Sequence, residues 1–365
     1  MSLSFLGMGC AAPAHSIAQN DLAAYINRVA FQRTDSQKRL VKTLFQATEI
    51  ERRGIVLAQS DVLDGPQQFY GEAQHADDFG PGTGARMRRY SEEAGALAGE
   101  AARKALADAA LSASEITHLI TVSCTGFYAP GADVALIKEL GLPPDVARLH
   151  VGFMGCHGAI NALRAAHAIA EANHSARVLV CAVELCSLHF QYAWKRDHLI
   201  ANSLFADGAA AVVAAWNKEE SSPRGFWNVR ATGSYLFPES EDAMSWRIGD
   251  HGFEMTLSAR VPDLIAGNLA KWMARWLESQ KLTRDAVASW AVHPGGPRIL
   301  DSVAESLQLS EADLAPSRAI LAEHGNMSSP TVLFILERMR AMNAAKPCVV
   351  LGFGPGLAVE AALLE

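Results

Sequence analysis

Apolar residues recur along the chain in two alternating patterns. Residues 91–111 and 261–282 carry apolar side chains at the three- and four-residue spacing of a helix that buries one face. Each stretch is followed by a short apolar run, at 118–124 and 289–292, that is typical of a buried strand. The order helix then strand therefore occurs twice, and it predicts an α/β protein.

The second occurrence matches the first in its spacing. Cys156 and Asn326 each stand at the start of a predicted helix, and a Val-rich strand begins 22 residues after each of them. Phe205 and Phe353 each open a Phe-x-x-Gly segment, but they lie 22 residues closer to each other than Cys156 and Asn326 do. The first half therefore contains an insertion, which we place near residues 184–204. Chance similarity is the alternative; the matched landmarks favour two α/β units packed as one pseudosymmetric body.

These patterns divide the chain into an N-terminal half, residues 1–222, and a C-terminal half, residues 223–365. Residues 21–90 are richer in charged and aromatic side chains, and we interpret them as a cap or lid. The opening segment is similar to a signal peptide that ends at Cys10. Because no basic residue precedes Arg28, we expect a buried strand there instead.

Composition narrows the class of protein further. Half of the 365 residues are apolar, and a net charge of -7 without a Lys/Arg-rich run argues against a nucleic-acid partner. No apolar stretch reaches the roughly 18 to 20 residues of a membrane span. The six cysteines contain no Cys-x-x-Cys pair, as expected in a reducing cytoplasm, and no ligand spacing indicates a metal site.

Cys156 is the strongest candidate for covalent chemistry. It lies between Gly155 and Gly158 at the start of a predicted helix, where backbone amides and the helix dipole stabilise a thiolate. The alternative is a buried cysteine that acts only as a small apolar residue, which is our interpretation of Cys181 and Cys348 within predicted strands.

Two polar residues stand at notable places in the second half. His293 ends a predicted strand and precedes Pro-Gly-Gly-Pro, a rigid turn that suits a base or an electrostatic partner. Asn326 occupies the position that Cys156 has in the first half. Its alternative role is a helix cap, since Asn is among the best capping residues.

The chain resembles the type III polyketide synthases, the chalcone and stilbene synthase family, through four motifs in the same order: Gly155-Cys156, His293-Pro-Gly-Gly-Pro297, Gly325-Asn-Met-Ser-Ser329 and Gly352-Phe-Gly-Pro-Gly-Leu357. The resemblance extends from about Ser91 to the C-terminus. It implies the duplicated αβαβα five-layer fold of the thiolase superfamily, which agrees with the repeat.

The resemblance also implies a mechanism. Cys156 takes an acyl group from an acyl-CoA starter, and His293 holds it as a thiolate in an ion pair. His293 and Asn326 then bind the thioester carbonyl of malonyl-CoA, so that decarboxylation yields a stabilised enolate. Repeated extension and cyclisation give a pyrone, a resorcinol or a related product. A homodimer, CoA thioesters as substrates and no bound cofactor are further implications.

Several substrate-cavity residues follow from the same resemblance. Phe205 matches a gatekeeper phenylalanine, for which a core aromatic is the alternative, and Met255 stands where plant members carry a second gatekeeper. Cys124 matches a second cysteine that lines the cavity of bacterial members. Ala129 stands where many members have a methionine that crosses the dimer interface.

The insertion contributes further cavity positions. Glu184, Cys186 and His189 fall at cavity-lining positions, and we expect the bulky His189 to titrate. Ser328, two residues after Asn326, is expected to contact substrate. The plant pattern of CoA-binding cations does not align with the basic residues of this region, which are Lys38, Arg39, Lys42, Arg52 and Arg53.

Two other functions remain open from the sequence. A ketoacyl synthase III-like enzyme would use Cys156, His293 and Asn326 for a single condensation, with an acyl carrier protein as its partner. A non-catalytic partner subunit would be free to lose these residues, so their presence argues against it. The residues of the motifs favour the polyketide synthase, but they determine neither the starter nor the number of extensions.

Overall fold

The computed structural model describes residues 2–57, 69–217 and 227–365, which form thirteen strands and ten helices. The strands are β1 (Ser2–Ala11), β2 (His15–Ala18), β3 (Arg52–Ile55), β4 (His118–Ser123), β5 (Ala147–Gly152), β6 (Arg177–Leu185), β7 (Asp207–Asn217), β8 (Asn228–Leu236), β9 (Met244–Gly249), β10 (Gly252–Leu257), β11 (Ser289–Val292), β12 (Cys348–Gly354) and β13 (Ala358–Leu364). The helices are α1 (Gln19–Val29), α2 (Asp35–Gln46), α3 (Thr83–Ala109), α4 (Ala132–Leu140), α5 (Gly158–Ala172), α6 (Arg196–Leu204), α7 (Val261–Ser279), α8 (Pro297–Leu307), α9 (Glu311–His324) and α10 (Thr331–Ala341).

Nine strands form one mixed sheet in the order β11-β12-β13-β8-β1-β7-β6-β4-β5. Its two halves meet where β1 pairs with β8, through Leu3 with Val229 and Ser4 with Asn228. Outward from this junction, each half has two antiparallel pairs followed by a parallel one, β6 with β4 and β12 with β11. This mirrored order confirms the predicted repeat.

Alternate side chains of each strand enter different helix layers, since successive residues of a strand point to opposite faces. In β6, Val180 packs with α5 and α10, whereas Leu179 packs with α3 and α4. In β12, Val350 packs with the same two central helices, whereas Val349 packs with α7 and α8. The result is five layers in the order αβαβα.

Helix α5 buries an apolar face of small side chains between the two halves of the sheet. Ala159, Ala162 and Ala166 are fully buried, together with Ile160 and Leu163. The small alanine side chains allow strands to approach the helix from both sides. This packing holds the N-terminal end of α5, and the turn that precedes it, rigidly inside the protein.

One predicted boundary is wrong. Helix α3 begins at Thr83, eight residues before the predicted start, so residues 83–90 belong to the outer helix layer rather than to the cap. The first turns of α3 bury Arg86 and Tyr90. Their hydrogen bonds reach distant groups, such as the Leu188 carbonyl for Arg86 and the Ser123 hydroxyl for Tyr90. The apolar pattern did not reveal the true start of α3, because the partners of Arg86 and Tyr90 are distant in the sequence.

The predicted insertion lies where we expected it. The connection between β6 and β7 runs from residue 186 to 206 and contains α6, whereas residues 355–357 join β12 to β13. Helix α2 packs on α6. The predicted boundary between residues 222 and 223 lies outside the described residues. Among the helices that are described, none has the length and apolar character needed to cross a membrane.

Candidate active site

Cys156 lies in a short 3₁₀ turn, Gly155–His157, immediately before α5. Gly155 has a φ of +80°, and a Cβ at this position would collide with the ring of Pro355. Only glycine therefore permits this conformation and this close approach. The turn of the N-terminal half is thus packed against the Gly-Phe-Gly-Pro-Gly segment of the C-terminal half, with the thiol buried between them.

Cys156, His293 and Asn326 line one inner cavity of about 30 Å³. They come from three separate places: the turn before α5, the end of β11, and the segment between α9 and α10. The structure therefore brings together the three residues that the sequence singled out, although they are far apart along the chain.

The His293 imidazole is buried without a protein partner. The residue is 1% exposed, and neither Nδ1 nor Nε2 has a hydrogen-bond partner among the described residues. Burial lowers the pKa of the ring to about 3, with a further contribution from the charge of His157. His293 is thus a neutral imidazole whose nitrogens are available to a group in the cavity.

Asn326 presents its amide nitrogen as the remaining donor. Its Oδ1 accepts a hydrogen bond from the Ser328 N–H at 2.8 Å. Its backbone pairs with the chain around Phe205, through the Leu204 carbonyl and the Ala206 N–H. Because α10 begins only at Thr331, Asn326 does not cap that helix. The cap interpretation is therefore wrong. The Asn326 amide instead hydrogen-bonds the Cys156 thiol, and Nδ2 is the donor that Asn326 can offer to a ligand of this cavity.

Phe205 and Met255 separate the inner cavities of the protein. Both residues line the cavity of Cys156, a neighbouring space of about 20 Å³, and a third cavity of about 60 Å³. Cys124 and Ser328 line the second space with Cys156. These four of the predicted cavity residues therefore lie on the walls of the inner cavities.

Glu184 is fully buried and lies behind the cavity wall. Its carboxylate accepts hydrogen bonds from the Cys124 N–H and from the hydroxyls of Thr125 and Ser329, at 2.6–3.1 Å. Burial raises the pKa of this carboxyl, and the hydrogen bonds oppose the shift. Through these hydrogen bonds Glu184 links the loop after β4 to the segment before α10. It does not face the substrate.

His189 lines the third cavity but is held in one neutral form. Its Nε2 donates to the Thr125 carbonyl at 2.7 Å, and its Nδ1 accepts from the Phe253 N–H at 2.9 Å. The ring also stacks on Phe253 at a centroid distance of 4.2 Å. Burial lowers the pKa of His189 to about 3. The expectation that His189 titrates near neutral pH is therefore wrong.

A larger outer cavity of about 550 Å³ adjoins the cavity of Cys156. Both are lined by Leu204, Leu257, Gly295 and Ile299. The side that α2 contributes is apolar, so the basic residues of that helix do not line it. The cations that line it are Arg196, at the start of α6, and Arg298, in α8.

Comparison with known proteins identifies the chain. The model of the N-terminal domain of chalcone and stilbene synthases matches residues 2–217, and that of their C-terminal domain matches residues 228–365. The chain belongs to the chalcone and stilbene synthase family. It is therefore a type III polyketide synthase, an acyl-transferring enzyme.

Individual relatives agree with this assignment. The chain is 34% identical to the alpha-pyrone synthesis polyketide synthase-like Pks18 of Mycobacterium tuberculosis and of Mycobacterium bovis, over 98% of this chain and 90% of theirs. The crystal structure of PKS-I from the brown alga Ectocarpus siliculosus superposes with a TM-score of 0.91 at 31% identity, covering 100% of this chain and 98% of that one. The type III polyketide synthase domain of Steely1 from Dictyostelium has a TM-score of 0.90 at 28% identity, covering 100% and 99%. The thiolase-like fold is thereby confirmed.

Burial acts against ionisation of the Cys156 thiol in this polyketide synthase. Burial raises the pKa of Cys156 to about 12, and hydrogen bonds from Ser328 and Asn326 oppose the shift. Together with the low pKa of His293, this favours a neutral thiol and a neutral imidazole. Burial therefore acts against the thiolate that the resemblance implies, because a buried charge loses its solvation.

Trp246 is a wall residue of the synthase that the sequence analysis missed. It lines the cavities on both sides of Phe205, and its indole N–H donates to the Cys124 carbonyl at 2.7 Å. Trp246 pairs with Met255 across the β9–β10 hairpin. Counting back from Met255 through the turn at Asp250 would have found it, since paired residues share one face.

The state of His189 predicts how the stability of the enzyme depends on pH. The unfolded chain binds a proton at this histidine below about pH 6.5, whereas the folded protein does so only near pH 3, so the free energy of unfolding falls on the acid side. The contribution of this residue is about 2 kcal/mol at pH 5 relative to pH 8. His189→Gln should remove that part of the slope, as measured by urea unfolding between pH 5 and 8. An unchanged slope would contradict the buried neutral state.

Proposed function

We propose that this polyketide synthase extends an acyl-CoA starter with malonyl-CoA units, through a thioester on Cys156, and cyclises the chain to a pyrone, a resorcinol or a related product. The observation that carries the proposal is the shared cavity of Cys156, His293 and Asn326. This cavity adjoins the outer cavity of about 550 Å³, which is large enough to hold the arm of a CoA thioester.

The first step is transfer of the starter to the enzyme. Cys156 Sγ attacks the thioester carbonyl of the starter while its proton passes to the unpaired ring of His293. The carbon–sulfur bond to CoA breaks, and CoA leaves as its thiol when it takes the proton. Because the proton moves between two buried groups, the net charge of the site does not change, which avoids the cost of an isolated buried ion.

The second step makes the nucleophile that extends the chain. Nδ2 of Asn326 and a ring nitrogen of His293 donate to the thioester oxygen of malonyl-CoA, where negative charge develops as carbon dioxide leaves. Each donor is worth about 3 kcal/mol. The enolate attacks the acyl group on Cys156, which lengthens the chain by two carbons and releases Sγ for reloading.

The thioester and the carboxylate of the substrates supply the driving force, so the proposed reaction needs no bound cofactor. Among the described residues, no group of three or more His, Cys, Asp or Glu side chains is placed to hold a metal ion. All six cysteines are free thiols, and we propose a cytoplasmic location on that basis.

The phosphates of CoA are proposed to bind Arg196 and Arg298, because these cations line the outer cavity and form no salt bridge with a described residue. Arg298→Glu should raise the KM for malonyl-CoA about tenfold while kcat changes little, since the phosphate contact is equal in the ground and transition states. Steady-state kinetics at two salt concentrations checks this. Arg275→Glu, on the exposed face of α7, is the matched control; an equal KM change there would contradict a local contact.

The direct test of function is incubation of the purified enzyme with malonyl-CoA and starters from acetyl-CoA to long-chain and aromatic acyl-CoAs. Mass spectrometry should detect pyrones or resorcinols from two or more extensions. A single condensation product that requires an acyl carrier protein would support the ketoacyl synthase III-like function instead. Absence of turnover under all these conditions would support a non-catalytic partner subunit.

We also propose that a second copy of the chain covers one apolar surface. Strand β5 is an edge of the sheet, and Phe127, Leu149 and Met154 are exposed on and beside it. Phe127 also packs on Phe153 at a ring-centroid distance of 5.0 Å. Exposed edges and apolar patches of this kind are normally covered. Sedimentation equilibrium should give twice the 39.1 kDa chain mass, and Leu149→Glu should give the monomer; a monomeric native enzyme would refute the proposal.

A further inference from the structure

The third inner cavity, of about 60 Å³, lies beyond the wall of the Cys156 cavity. Four residues line both that cavity and the space next to Cys156: Cys186, Phe205, Trp246 and Met255. An acyl chain on Cys156 that passes this wall therefore enters the third cavity. Most of the remaining lining is apolar or aromatic, including Ile55, Leu57, Tyr70 and Phe253.

Arg53 is the one cation that the described part of the chain contributes to this lining. Its Nη1 donates to the backbone carbonyls of Asn202 and Phe205, at 2.9 and 2.6 Å. Its Nε and Nη2 have no hydrogen-bond partner among the described residues, although the residue is 1% exposed. One half of the guanidinium is thus used by the protein, and the other half is unpaired.

The two unpaired nitrogens form a single edge of the guanidinium. Nε and Nη2 point their N–H groups in the same direction, and this edge binds a carboxylate through two parallel charge-assisted hydrogen bonds. The geometry of the unpaired edge therefore selects an oxyanion with two oxygens rather than a single carbonyl group.

The protein carboxylate whose charge acts on Arg53 already has its own hydrogen-bond donors. Asp207 accepts hydrogen bonds from the Val56 N–H at 2.8 Å and from the N–H and hydroxyl of Ser187 at 2.7 and 2.6 Å. Arg53 forms no salt bridge with any described carboxylate. Burial lowers its pKa to about 9, which Asp207 opposes only through its charge. A buried cation without a paired anion is costly, so an anion that enters this cavity is stabilised.

We propose that Arg53 binds the distal carboxylate of the starter acyl group, so that the enzyme accepts dicarboxylic acids presented as their mono-CoA thioesters. The inference rests on the proposed function, because the acyl group must first be transferred to Cys156. The chain then passes the wall that the two cavities share, and its free carboxylate pairs with Nε and Nη2 of Arg53. No bond is made or broken at Arg53, so it is a specificity-determining residue.

The test compares starters that differ only in the distal group. Adipoyl-CoA is paired with hexanoyl-CoA, and suberoyl-CoA with octanoyl-CoA, in competition within one reaction read by mass spectrometry. We expect the native enzyme to extend the dicarboxylic member of at least one pair with about tenfold higher kcat/KM. Arg53→Lys keeps a positive charge but lacks the two-nitrogen edge, and it should reduce that ratio about tenfold, mainly through KM.

A structural role alone would change both members of a pair equally. Arg86→Lys is the matched control, since Arg86 is also a buried arginine that bonds backbone carbonyls, but it does not line the cavity. Its ratio should equal that of the native enzyme. If Arg53→Lys does not fold, the ratio of the native enzyme decides alone: extension of hexanoyl-CoA and octanoyl-CoA without preference for their dicarboxylic partners overturns this inference and leaves the proposed function intact. Extension of no starter overturns both.

Discussion

Replacing Cys156 with alanine is expected to abolish polyketide formation, by about 10⁴-fold or more, while the fold stays intact. The substitution removes the sulfur atom that accepts the acyl group, and no other residue that lines this cavity carries a thiol or a hydroxyl group. The change in volume is one buried atom, so the free energy of unfolding should fall by only about 1 kcal/mol.

The same variant separates the two chemical steps. Decarboxylation depends on the donors His293 and Asn326, so Cys156→Ala should still release carbon dioxide from malonyl-CoA. Product analysis by mass spectrometry and release of labelled carbon dioxide measure the two steps side by side. Cys181→Ala is the control, because it removes a buried thiol that lies in β6, outside this cavity. Polyketide formation by Cys156→Ala would remove Cys156 from the mechanism.

Asn326→Asp should lower the rate of malonyl-CoA decarboxylation by about 10² to 10³. The aspartate has nearly the same shape and can still accept the Ser328 N–H, so the local backbone should be preserved. It replaces the Nδ2 donor with a negatively charged oxygen, however, and this oxygen repels the enolate that Nδ2 stabilises. Transfer of the starter to Cys156 should continue, because that step uses Sγ and His293.

Intact-protein mass spectrometry detects the acylated enzyme, and carbon dioxide release detects the loss of decarboxylation. Asn268→Asp in α7 is the control, since its amide donates to the Leu264 carbonyl outside the cavity. If Asn326→Asp decarboxylated malonyl-CoA at the native rate, the donor role of Asn326 would be refuted. If it failed to accept the starter, the assignment of Asn326 to the second step alone would be wrong.

The repeated helix and strand patterns predicted most of the fold, because each pattern depends only on residues that are close together in the chain. Helical spacing at 261–282 and the strand at 289–292 depend only on neighbours in the chain, and α7 and β11 occupy these places. The start of α3 was missed because Arg86 and Tyr90 interrupt the apolar pattern. Their partners come from the β6–β7 insertion and from β4, which no local pattern reveals.

The sequence by itself determined the duplicated α/β fold, the family, and the candidate residues Cys156, His293 and Asn326, because short motifs and spacing carry that information. Only the tertiary structure decided the protonation of the buried groups, the tying role of Glu184, and the unpaired edge of Arg53. The physical reason is that solvation and hydrogen-bond partners depend on atoms brought together through space, and in this protein both halves of the chain contribute them to one site.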